Sequence, residues 1–201
     1  MDAQAWISRP LRAGVRLIEY LVRKSLHVFE FTDDPECILR IQLLSAPHSV
    51  DVGRVKISTG DVILAIHAWN ERMPKLPVEG PTLEWGVRLR RLVIHSFEAV
   101  AREIQKGGKY SQVRAVYGES TIFSFSEHTG GLRMIQRLGF TILPYHSQTG
   151  KFGEFWSNLF SWWLMWAFND ASLRSRNFWK MERTEAWYMV DDFVKRFGKK
   201  P

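Results

Sequence analysis

Apolar and polar positions alternate in some stretches of this chain and recur every three or four residues in others. The switches between those two periods outline its elements. Across residues 5–26, Ile7, Leu11, Val15, Ile18, Val22 and Leu26 keep helical spacing, which predicts an amphipathic helix. Its other face carries Arg9, Arg12, Arg16 and Arg23, with Glu19 the only acid among them. The expected packing buries the apolar stripe and leaves the basic face in solvent. Such a basic face is also the composition of a helix lying on a membrane surface. Residues 37–44 alternate as a strand, 45–53 read as a loop, and 54–58 alternate again. Thr59-Gly60-Asp61 then suits a hairpin turn into a strand over 62–69. The three strands are expected to form an antiparallel meander. The strand over 62–69 is apolar on both faces, the pattern of a strand covered on both sides.

Further along, Phe31-Thr32-Asp33-Asp34-Pro35 reads as a turn. Residues 72–81 form a loop rich in Pro and Gly. Thr82 is placed to cap a long helix that buries Trp85, Leu89, Val93, Phe97, Val100 and Ile104, and Gly107-Gly108 ends it. A strand over 112–117 leads into Gly118-Glu119-Ser120-Thr121. A short helix over 132–138 stops at Gly139, and a strand follows over 140–143. Residues 152–168, FGEFWSNLFSWWLMWAF, predict a helix with a wide aromatic stripe. Residues 185–190 alternate as a last strand, and Asp191-Asp192 open a last helix through 197. The expected class is α+β: a mixed sheet, with the meander and later strands, and helices on both faces.

With 201 residues, 45% hydrophobic and 24% charged, the chain has the size of one domain spanning 1–201. The net charge of +7 permits an anionic partner. One cysteine, Cys37, leaves no intrachain disulfide and no cysteine metal cluster. The start, Met1-Asp2-Ala3-Gln4, lacks the basic and apolar regions of a secretory leader. No run of 18 apolar residues predicts a membrane span. The expected location is cytoplasmic, with a peripheral membrane contact through Trp156, Trp162, Trp163 and Trp166 together with Arg9, Arg12 and Arg16. No helix-turn-helix, RNP-like or zinc-finger pattern points to nucleic acid.

Candidate chemistry gathers at the end of the strand over 62–69. His67 is the candidate general base, because imidazole titrates near working pH. Asn70 and Glu71 are placed to orient a polar substrate, a sugar or an amine. Trp69, Glu119, Ser120 and Thr121 are candidate ligand contacts. The spacing of His67, His128 and His146 gives no support for zinc, so no metal is expected and no cofactor motif is readable. The competing reading is a non-catalytic module that binds a polar ligand or docks on a membrane.

The order of elements, together with RMIQRLGFTIL at 133–143, resembles the GNAT acyltransferase fold. That resemblance implies an acyl-CoA pyrophosphate loop before the long helix, where backbone N–H groups hold phosphate. Here the interval reads WNERMPKLPVEGPTLEWG, and its prolines lack the N–H groups such a loop needs. A closer resemblance is to the YkoP-like family of bacterial proteins. It is carried by STGDVILAIHAWNE (58–71), VRAVYGEST (113–121), RLGF (137–140) and EAWYMVDDFVKRFG (185–198). Some domains of that family are associated with polysaccharide deacetylase-like proteins, which implies a link to envelope sugars. The Asp/His motifs of a deacetylase itself are not in this chain.

Overall fold

The computed structural model describes residues 3–121, 130–147, 149–174 and 176–198. In chain order the elements are α1 (Ala3–Ser25), β1 (Leu39–Ser45), β2 (Val50–Val52), β3 (Val55–Ile57), β4 (Val62–Ala68), α2 (Leu83–Gln105), β5 (Ala115–Ser120), α3 (Gly130–Arg137), β6 (Thr141–Pro144), α4 (Gly150–Phe168), β7 (Thr184–Met189) and α5 (Val190–Phe197). Five strands make a mixed sheet in the order β1-β4-β5-β7-β6. β4 and β5 run parallel; the other pairs are antiparallel. The class is α+β.

The expected meander is corrected. β4 pairs with β1 along its length, from Leu39 opposite Ala68 to Ser45 opposite Val62. β3 pairs with β2 in a separate hairpin. The reason lies at the loop ends: Ala46 donates to the Asp61 carbonyl and Gly60 to the Ala46 carbonyl. These bonds carry the β1–β4 ladder past the strand ends, so residues 46–61 close as an excursion. Its Asp51 and Lys56 sit opposite one another, and its Val52 and Ile57 are buried against the sheet.

Residues opposite one another in the register share a face of the sheet. One face carries Ile41, Leu64, Val116, Ala186 and Tyr188. It packs on Phe97 and Val100 of α2 and Phe193 of α5, as the stripe of the long helix predicts. Thr82 caps that helix, its hydroxyl accepting from the Trp85 N–H. Gly107 and Gly108 end it with positive φ.

The other face is where local patterning misleads. It carries Ile63, Ala65, Tyr117 and Trp187, and beyond them a run of charged side chains. α1 turns its polar side toward the sheet here: Glu19 is buried and pairs with the buried Arg40 at 3.2 Å. Arg12 pairs with Asp170 at 2.7 Å, next to α4, and its guanidinium lies over Trp166. Leu11, Leu17, Ile18, Leu21 and Leu26 are exposed. The expectation of a buried apolar stripe on α1 is therefore corrected: Leu11, Ile18 and Leu26 are exposed and Val15 and Val22 half-buried, while of the basic face Arg12 and Arg23 are half-buried and Arg9 and Arg16 exposed. The cause is Arg40: a buried guanidinium requires a carboxylate partner, and Glu19 supplies it. α4 does the same, giving Asn158, Ser157 and Ser161 to the buried Arg183.

Candidate functional site

Ladder pairing between β4 and β5 covers only Ile63–Ala65 against Ala115–Tyr117, yet β4 continues to Ala68 and β5 to Ser120. Ligands of open sheets bind at such carboxyl ends of parallel strands. At this level the register sets a polar row on the α1/α4 side of the sheet. Arg40 lies opposite His67, Glu119 lies opposite Glu185, and His67 and Glu119 each stand two residues past the last β4–β5 pair.

Arg40 is 2% exposed and fully engaged. It reaches Glu19, Glu30 and Glu71 at 3.1–3.2 Å, and its guanidinium stacks over Trp69 at 4.7 Å. Arg72 lies 3.4 Å from the same indole. Trp69 is thus buried between two cations, a cation–π arrangement that anchors the strand end. Glu71 is tied to Arg40, and Asn70 is partly buried beside it.

His67 Nε2 lies 3.0 Å from Gln42 Oε1, and Gln42 Nε2 donates to the Leu26 carbonyl. The amide's orientation is therefore set, so Nε2 of His67 carries the proton and Nδ1 the lone pair. Burial, helped by the Arg40 charge, lowers the His67 pKa to about 4. The ring is neutral at physiological pH and a weaker base than a free imidazole.

The other end of the row holds residues that sequence reasoning missed. Glu185 is 1% exposed. It accepts from the Trp187 indole N–H at 2.9 Å and from the His146 backbone N–H at 3.0 Å. His48 Nε2 lies 3.2 Å from its Oε2. Its Nδ1, shielded from solvent, has no hydrogen-bond partner among the described residues. The His48 ring lies 5.0 Å from that of His146 and meets Trp187 edge-on. Beside it, Tyr117 donates to Glu119 at 3.1 Å, and Arg183 pairs with Glu119 at 3.2 Å. Burial and the neighbouring Glu119 carboxylate raise the pKa of the Tyr117 phenol and of Tyr145.

Of the residues singled out from sequence, His67 and Glu119 share the row, with Glu71 tied to its end. Gly118, Glu119 and Ser120 belong to β5 itself rather than to a turn after it. Ser120 points to the face packed by α2 and α5, away from the polar row, by strand alternation, and Thr121 is buried. His128 lies outside the described residues. Among those described, no group of three His, Cys, Asp or Glu side chains is placed to hold a metal ion. One signal for Glu185 was readable: an acid sharing a strand face with Trp187 and Met189. His48 had none, because its partner lies far along the chain.

The family model for the YkoP domain matches residues 15–196, which takes in the second half of α1, every strand and both ends of the polar row. The chain belongs to the YkoP domain family. No curated protein and no solved structure matches it. The α+β class expected from sequence stands, with one parallel strand pair in the sheet; the comparisons do not confirm the acyltransferase-like topology. In this YkoP domain, both buried arginines of the polar face, Arg40 and Arg183, lie within the matched span.

Proposed function

We propose that this YkoP domain binds a polar small molecule, a sugar or an amine, along the Arg40–His67–Glu119–Glu185 row, and acts on it as a group transferase. The observation that carries the reading is the His48–Glu185 pair. One imidazole nitrogen lies 3.2 Å from a buried carboxylate and the other has no partner among the described residues; we assign the proton to the nitrogen that faces the carboxylate, which leaves Nδ1 with a bare lone pair. A buried acceptor without a donor costs free energy, and a substrate hydroxyl or amine would supply that donor. His48 then accepts the substrate's O–H or N–H proton as its oxygen or nitrogen attacks an activated donor. The donor's leaving group departs with the bonding pair, and Glu185 stabilises the imidazolium.

His67, neutral and fixed by Gln42, positions the substrate instead of taking its proton. Asn70, Glu71 and Glu119 orient its polar groups. Trp69, Ser120 and Thr121 support the row from behind: Trp69 holds Arg40, Ser120 ends the strand that carries Glu119, and Thr121 follows it.

The test is a thermal-shift panel of amino sugars, nucleotide sugars and acyl-CoAs on wild type, His48→Ala and His67→Ala. Saturation at about 100 times Kd adds roughly 2.7 kcal/mol to the folded state. A sugar or amine that shifts wild type but neither variant, while both variants stay folded, supports the reading. If the wild type responds to no sugar or amine, the reading fails. Binding without turnover of any donor leaves a binding module and overturns the transferase.

A further inference from the structure

The two helices that cover the polar face turn polar side chains toward it, and this has a consequence on the opposite side of the layer. α1 gives Glu19 to Arg40, and α4 gives Ser157, Asn158 and Ser161 to Arg183. The helices also pack on each other: Arg16 donates to the Ala167 carbonyl and its guanidinium lies over Phe168. Their apolar sides therefore point away from the domain. On α1 that side shows Leu17 and Leu21. On α4 it shows Phe152, Trp156 and Trp163, one helical stripe by spacing. Phe152 is 73% exposed, Trp156 50%, and neighbouring Trp179 82%. The rings of Phe152, Trp156, Phe155, Phe178 and Trp179 form one chain of edge and stacked contacts. Contiguous exposed apolar surface of this kind marks an interaction site.

We propose that this outer layer docks on an anionic lipid surface. Charge decides the occupant. The only acid of α1 is Glu19, which is buried and faces inward, while Arg9 and Lys24 are exposed. Lys151 beside Phe152 and Lys180 beside Trp179 are exposed, and neither pairs with a carboxylate among the described residues. A cationic, aromatic face complements acidic headgroups: indoles favour the membrane–water boundary, and each nearby lysine adds attraction. A second copy would instead set lysine against lysine, a repulsion that specific interfaces avoid. No described helix is long and apolar enough to cross a membrane, so the contact is peripheral. This inference is independent of the chemistry assigned to the polar row.

The experiment is co-sedimentation of the full chain with phosphatidylcholine vesicles, with and without phosphatidylglycerol. The expected result is binding to phosphatidylglycerol vesicles that weakens with salt and brings a blue shift in tryptophan emission. Trp156→Ser with Trp163→Ser, both on exposed positions, weakens it at least about tenfold. Lys151→Glu with Lys180→Glu lowers the phosphatidylglycerol preference by at least roughly fivefold per lysine. Circular dichroism confirms that the variants are folded. Absence of binding at low salt overturns the proposal, as does binding that ignores the tryptophan variants. A dimer in light scattering that the same tryptophan changes dissolve assigns the face to a second copy and also overturns it.

Discussion

His48 Nε2 lies 3.2 Å from Glu185 Oε2, joining a loop residue of the 46–61 excursion to the first half of β7. Glu185 also takes the Trp187 and His146 N–H groups, so two donors and the His48 ring converge on one buried carboxylate. Glu185→Gln turns an amide NH2 toward donors that need an acceptor. The expected loss is about 1–3 kcal/mol, which lowers Tm by roughly 2–4 °C per kcal/mol at this chain length. Trp187→Phe, which removes one donor and leaves the carboxylate, should cost less. Denaturant midpoints of the two variants check the order.

Arg40 predicts a pH signature for its own removal. Burial raises the Glu19 pKa, and Arg40 is the main influence opposing it. Arg40→Met leaves Glu19, beside Glu30 and Glu71, with Arg23 at 3.8 Å as its remaining cation, at a cost of about 3 kcal/mol at neutral pH. Protonating Glu19 relieves that cost, so the deficit should shrink as pH falls. Adding Glu19→Leu should restore most of the stability at pH 7. Urea titrations at two pH values measure both effects.

His67 makes stability fall with acid over a defined window. The unfolded imidazole takes up a proton near pH 6.5, whereas the folded one refuses it until about pH 4. Between those values the unfolded state holds more protons, so stability drops as pH falls through the window and levels off above it. The full effect is up to about 3 kcal/mol. In His67→Gln this component of the slope disappears. The difference between the two proteins' stabilities from pH 7 to pH 4 isolates it from the carboxylates.

Gly139 and Gly86 should respond oppositely to alanine. Gly139 ends α3 at φ +99°, and an added Cβ would stand 2.5 Å from the Tyr188 hydroxyl oxygen and 2.6 Å from its ring. Gly139→Ala should lose at least about 2 kcal/mol through strain and overlap. Gly86 lies inside α2 with nothing within 4 Å of its Cβ position, so Gly86→Ala should gain about 0.5–1 kcal/mol. Thermal melts of the two single variants give the comparison.

The chain's own periodicity determined where α2, α4, α5, β1, β4 and β7 lie to within a few residues, along with the Thr82 cap and the Gly139 stop. Those features depend on neighbours within one or two turns. Only the tertiary structure decided that β4 pairs with β1, that α1 and α4 face the sheet with their polar sides, and that His48 meets Glu185. In each case the deciding partner is distant in sequence. An apolar stripe states that a helix is amphipathic, but Arg40 and Arg183, buried on the sheet, decide which side of α1 and α4 turns inward. Leaving a buried guanidinium without a carboxylate or carbonyl costs more than leaving a few leucines and tryptophans in water.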